Sequence, residues 1–129
     1  MSASDSPDNS DATSEIFDRA DLLSSIHGDT ELLEQFIQLF LQEFPHKIQI
    51  LRDAAPAEGG TPPEDASALR DAAHRILGSS RTMRLHRLAR AAYDLQRVID
   101  SGTYQAADLT DGTARIIDEY QDAAALLKR

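Results

Sequence analysis

Apolar residues recur along most of this 129-residue chain at spacings of three and four, the period of a helix that buries one face. The clearest run is Leu33, Phe36, Ile37, Phe40, Phe44, Ile48 and Leu51, which predicts a long amphipathic helix. Asp29 or Thr30 can cap its start, and Glu31 and Glu34 sit near its positive end, where carboxylates are favoured. Pro45 falls inside the run. A proline loses one hydrogen bond and crowds the preceding turn, but the apolar phase continues past it, which predicts a kink rather than a stop. Upstream, Leu22, Leu23 and Ile26 predict a short helix closed by Gly28 as its C-cap.

Downstream, Ala55 to Pro63 (APAEGGTPP) reads as loop from its composition. Leu69, Ala72, Ala73, Ile76, Ser80 and Met83 predict a third helix, starting near Glu64 or Asp65. Leu85, Leu88, Ala89, Ala92, Leu95 and Ile99 predict a fourth, ended by Ser101-Gly102. Leu109, Ile116, Ile117, Tyr120, Ala123, Ala124 and Leu127 predict a fifth. No segment alternates with period two and no internal repeat is present. The expected fold class is all-α: an antiparallel four-helix bundle with a short additional N-terminal helix, spanning 16–129. Residues 1–15 carry almost nothing apolar, cannot offset their ordering entropy, and are expected as a disordered acidic tail.

Composition narrows the chemistry. A hydrophobic content of 41 % supports one core in a chain of this length. With no cysteine, disulfides, thiolate chemistry and cysteine-based zinc sites are excluded. The opening MSASDSPDNSDATSE has neither the basic nor the apolar part of a signal peptide, and no apolar run approaches the roughly 20 residues of a membrane span. A soluble, cytoplasmic protein is expected. The net charge of −9 argues against general nucleic-acid affinity, yet charge is unevenly placed. Between Arg70 and Arg97 seven of the thirteen basic residues face only Asp71 and Asp94, a local charge of +5 that suggests a docking face for an acidic partner.

One side chain on the third helix departs from the buried stripe. At about 100° per residue His74 lies roughly 140° from Leu69, outside the apolar face. Gly78 stands one turn on, and Arg81 two. A mid-helix glycine costs roughly 1 kcal/mol against alanine. The simplest compensation is clearance, which lets another molecule approach the imidazole. Imidazole is nucleophilic when neutral, and its bond to phosphorus is labile enough for the group to move on. Gln96 interrupts the apolar face formed by Leu85, Ala89 and Ala92. It is the candidate to fix the imidazole tautomer from the neighbouring antiparallel helix. The plain alternatives are a solvated histidine and a boundary glutamine whose amide reaches water. His27, His46 and His86 share no metal-ligand spacing and are assigned no chemistry. Arg84, Arg87 and Arg90 read as a solvated face, and Tyr93 and Tyr120 as core or rim aromatics.

The segment AAHRILGSSRTMRLHRLARAAYDLQRV resembles the signature of histidine-phosphotransfer (HPt) domains, with Ala73, His74, Ile76, Gly78, Ser79 and Ser80 fitting the motif A-H-x-L-K-G-S-[SA]. The Phe-rich FIQLFLQEFPHKI helix and the position of Gln96 extend the resemblance over roughly Phe17 to Leu127. The resemblance implies a phosphorelay carrier. His74 is then the phosphoacceptor, exchanging phosphoryl groups with aspartates of response-regulator receiver domains. A hybrid histidine kinase is a further candidate partner. It implies no cofactor on this chain, since the Mg²⁺ belongs to the receiver, and a monomer without turnover of its own. Two departures stand out. Leu77 occupies the place of the family's lysine, so Arg81 or Arg75 must supply charge to the phosphoryl group. Met83, Arg84 and Leu85 replace a segment of small residues typified by L-G-A. Arg70, Arg75, Leu77, Gly78 and Arg81 are the expected partner contacts. The alternative is a degenerate HPt-like module that binds receivers or kinases without carrying phosphate. A nucleic-acid-binding bundle is disfavoured by the acidic total and by an arginine face without interleaved aromatics.

Overall fold

The computed structural model describes residues 13–57, 59–60 and 65–129. Over these the chain is helical, with α1 at Arg19–Ser25, α2 at Thr30–Ala54, α3 at Ser67–Thr82, α4 at His86–Asp100 and α5 at Ala106–Leu127. Helix α3 packs between α2 and α4, and α5 closes the bundle against α4 and α2. The short α1 lies against α2.

Of the tail expected to be disordered, residues 1–12 lie outside the described residues. Residues 13–15 correct that expectation: 13–16 form a helical turn in which the Phe17 N–H donates to the Thr13 carbonyl at 2.8 Å. The cause is apolar, since Phe17 is buried and Ile16 packs beside it. Of the predicted loop, Glu58 and residues 61–63 lie outside the described residues, as does Glu64 as a helix start.

Asp29 caps α2 by accepting the Leu32 N–H at 3.0 Å. The helix then runs unbroken through Pro45. Proline in a helix interior costs about 3 kcal/mol. Phe44, Ile48 and Leu51 around it are all buried, at roughly 1.5–3 kcal/mol each, so packing wins. Phe44 also stacks on Tyr120 of α5, with ring centroids 4.9 Å apart, and meets Phe40 at 4.4 Å. Helix α3 starts later than expected, at Ser67. The Asp65 carboxylate turns to accept the Ser67 N–H at 2.9 Å, which also lowers its pKa, and leaves Ala66 as a cap with no side-chain bond.

The end of α1 corrects a second expectation. The Gly28 N–H donates to the Leu23 carbonyl and the His27 N–H to the Ser24 carbonyl, the two bonds of a Schellman ending. His27, at φ 60°, takes the left-handed cap position, and Gly28 follows it. The corner between α3 and α4 repeats the device. Leu85 N–H donates to Ser80 C=O, Arg84 N–H to Arg81 C=O, and Arg84 sits at φ 59°. An L-residue there costs roughly 1–2 kcal/mol. Arg84 offsets this with its own side chain. Its guanidinium donates to the Thr82 carbonyl at 2.9 Å, to the Arg81 carbonyl at 3.3 Å and to the Asp21 carboxylate at 2.6 Å. Its carbonyl accepts the Asp18 N–H, so one residue ties the corner to α1 and its N-cap. Arg84 is therefore a structural clasp rather than part of a solvated face.

The clasp and the strain can be separated. Arg84→Ala should lower the unfolding free energy measured in urea by about 1–2 kcal/mol. Arg84→Gly loses the same bonds but regains the left-handed cost, and should be about 1 kcal/mol more stable than the alanine variant. Equal stability of the two would show that the backbone at this corner carries no strain.

Candidate functional site

Helices α3 and α4 pack against each other, and both carry small buried residues, Ala73 and Ser80 on one and Ala89 and Ala92 on the other. Ser80 is accommodated because its hydroxyl donates to the Ile76 carbonyl at 2.6 Å. This close antiparallel packing brings two pairs of polar side chains together at its edge. His74, exposed on α3, has Nδ1 3.2 Å from Oε1 of Gln96 on α4. An amide oxygen only accepts, so in this orientation the contact is a hydrogen bond only in the tautomer that carries its proton on Nδ1 and leaves the Nε2 lone pair free. Gln96 is half-buried at the rim rather than enclosed in the apolar face.

One turn towards the start of α3, Arg70 holds the Asp100 carboxylate through Nε at 2.5 Å and a terminal nitrogen at 3.3 Å. The Arg70 hydrogen bonds hold the Asp100 carboxyl below the usual carboxylate range, with the Arg70 charge and the Gln96 side-chain amide acting in the same direction. Because the folded pKa is depressed, whatever the pair adds to stability is present at neutral pH and is lost only as acid protonates Asp100. The Arg70 guanidinium is raised in turn, first by the same hydrogen bonds.

On the other side of His74, Gly78 is exposed, and a Cβ built on it would meet nothing within 4 Å. Internal packing therefore does not require glycine there. Gly78 and Arg75 line a groove of about 640 Å³ between α2 and α3, whose far wall includes Phe36, Leu39, Phe40 and Lys47. Leu39 is 50 % exposed. The groove was not foreseen, although Leu39 stands out of phase with the buried stripe and could have signalled it.

The expected partner contacts divide. Gly78, Arg75 and Arg81 are exposed on α3. Leu77 is not a contact: it is 5 % exposed and belongs to the core, about 80° round the helix from Leu69, so the motif position where the resemblance has lysine points inward. Arg70 is engaged by Asp100. The +5 segment is partly offset by the fold. Arg70, Arg84 and Arg87 pair with Asp100, Asp21 and Glu119 from outside it, while Arg90 shares Asp94, already counted within it, with Arg115. Arg97 lies 5.9 Å over the exposed Tyr93 ring. Arg75 and Arg81 have no ion-pair partner among the described residues, and Arg81 makes no hydrogen bond to His74. Among the described residues no three His, Asp or Glu side chains are grouped to hold a metal ion, and no helix is long and apolar enough to cross a membrane.

Compared with known families, the chain matches the sequence model of the Hpt domain over residues 35–128, from early in α2 to the end of α5. Neither a curated protein nor a solved structure matches it.

The inward position of Leu77 has a direct consequence. Leu77→Ala should destabilise the bundle by about 2–4 kcal/mol in chemical denaturation, the usual cost of emptying a core position. If Leu77 instead served as a surface contact, the loss would stay within about 0.5 kcal/mol.

Proposed function

We propose that this chain, which belongs to the Hpt domain family, carries a phosphoryl group on Nε2 of His74, in exchange with aspartates of response-regulator receiver domains in a two-component phosphorelay. The observation that supports this most directly is an exposed imidazole whose Nδ1 is taken by Gln96, beside a glycine that nothing in the chain requires. In the forward step the Nε2 lone pair attacks the phosphorus of the receiver's aspartyl phosphate. The N–P bond forms as the P–O bond to the aspartate breaks, and the carboxylate leaves. Nδ1 keeps its proton, so the ring becomes a phosphorylated imidazolium whose N–H the Gln96 oxygen accepts. No base is required, and the task of the protein is alignment.

Charge for the phosphoryl oxygens would come from Arg81 and Arg75. Arg81 lies on the face of His74 two turns on, and helical side chains lean towards the N-terminus, which is towards His74. Arg75, Gly78 and the adjoining groove would receive the partner. The reading gives this chain no cofactor, the magnesium ion being the receiver's, and makes it a monomeric cytoplasmic carrier without turnover. Leu77, apolar where the resemblance has lysine, favours a second reading, a module that docks on receivers or kinases and carries no phosphate.

Incubation with phosphorylated receivers decides between them. Acid-labile, base-stable label should appear on the parent protein and be absent from His74→Gln; label on that variant would sink the assignment, and binding without label on the parent would favour the docking module. Arg81→Ala should shorten the lifetime of the phosphohistidine or slow transfer, and no change in either removes Arg81 from the site. Gly78→Ala should raise stability by about 0.5–1 kcal/mol while slowing transfer, because the added methyl clashes only with a docked partner. Unaltered transfer in that variant would show that the gap serves no approach.

A further inference from the structure

A glutamine amide has nearly the same shape in its two flipped orientations, and each can bond an imidazole. With Oε1 towards His74, Nδ1 donates and Nε2 is free. With the NH₂ group towards His74, Nδ1 accepts, the proton moves to Nε2, and the nucleophile is lost. His74 and Gln96 alone do not choose between these states. A third side chain must. Asp100 is four residues beyond Gln96 on α4, the spacing at which helical side chains meet, and a carboxylate only accepts hydrogen bonds.

We infer that Asp100 is a positioning residue that draws the NH₂ end of the Gln96 amide, turns its oxygen to His74 and so selects the imidazole tautomer with Nε2 unprotonated. The inference rests on His74 being the phosphoacceptor. Arg70 completes the arrangement. It grips both carboxylate oxygens and cancels a negative charge that would otherwise stand one turn from an incoming phosphoryl group. Arg70 and His74 are four residues apart on α3, as are Gln96 and Asp100 on α4, so one antiparallel register makes both cross-links. The lowered pKa of Asp100, due first to the Arg70 hydrogen bonds, is in keeping with an acceptor that stays ionised at neutral pH.

The test is the tautomer of His74, read from imidazole nitrogen shifts by NMR in the intact, unphosphorylated protein. The parent should be mainly the Nδ1–H form. Asp100→Ala should lose that preference, the ratio of Nε2–H to Nδ1–H rising about tenfold, the effect of shifting an equilibrium by roughly one hydrogen bond, and its uptake of label from phosphorylated receivers should fall with the Nδ1–H fraction. Arg70→Gln keeps the acceptor beside Gln96 and should retain the Nδ1–H form. A pair acting only as a clasp between helices would make the two variants alike, in tautomer and in thermal unfolding. That likeness, or an Asp100→Ala protein that keeps the parental tautomer, overturns the inference. Absence of label on the parent refutes the phosphoacceptor reading instead, while the tautomer measurement still decides the role of Asp100.

Discussion

The packing of α3 against α4 is the constraint on which the site depends. Ala73, Ser80, Ala89 and Ala92 are all buried, and their small size lets the two helices approach closely enough for short polar side chains to bridge the edge of the interface. His74 meets Gln96 and Arg70 meets Asp100 because the antiparallel register advances both pairs by the same four residues. A slip of one residue on either helix would turn its polar pair by about 100° and break both contacts. The buried alanines thus specify the chemistry at the rim without touching it. A bulky residue at any of them would be felt first as a lost hydrogen bond at His74.

Two positions, one in the corner after α3 and one within α3, illustrate how function can be told from architecture. At Arg84 the backbone adopts a left-handed conformation, and the cost is offset from within: the guanidinium binds two carbonyls at the end of α3 and the Asp21 carboxylate of α1. At Gly78 there is no such internal balance. The backbone is ordinary helix, and a Cβ there would meet nothing within 4 Å among the described residues. Gly112 shows the contrasting structural case, since a Cβ there would fall 2.8 Å from Cδ1 of the buried Leu95, which would have to shift. A helical glycine that packing explains is architecture; one that packing leaves unexplained is best understood through something outside the molecule.

The helices and the bundle were legible because amphipathic periodicity extends over each of them, and even Pro45 could be set aside on phase. At the end of α1 the expected Gly28 does turn left-handed, but His27 turns so one residue before it, which depends on bonds back to Leu23 and Ser24 that composition does not record. Gln96 was legible because it breaks an apolar face. The neighbouring Arg70–Asp100 pair was not: the two residues are thirty apart, and their contact follows only once the register of α3 against α4 is known. Leu77 was misplaced because motif alignment was allowed to outweigh the helical wheel, which sets it on the margin of the buried stripe. The arginine face was overstated because counting charge along the chain ignores partners such as Asp21 and Glu119, which arrive from distant helices.

That last point changes how the charge of the molecule is understood. Surface ion pairs contribute little to stability, typically 0–1 kcal/mol by order of magnitude, so the pairing of Arg70, Arg84, Arg87 and Arg90 is a weak explanation for the fold. Its larger effect is on the field outside. At physiological ionic strength charges are screened over about 8 Å, so an acidic partner senses only cations close to where it docks. A protein with a net charge of −9 repels such a partner at a distance and can attract it only through a local exception. By pairing with Arg70, Arg84 and Arg87, the carboxylates Asp100, Asp21 and Glu119 leave Arg75 and Arg81 as the unpaired cations of α3 among the described residues, on either side of Gly78. If a partner docks at His74 as proposed, specificity of approach would come as much from the positive charge paired off elsewhere as from the charge that remains beside His74.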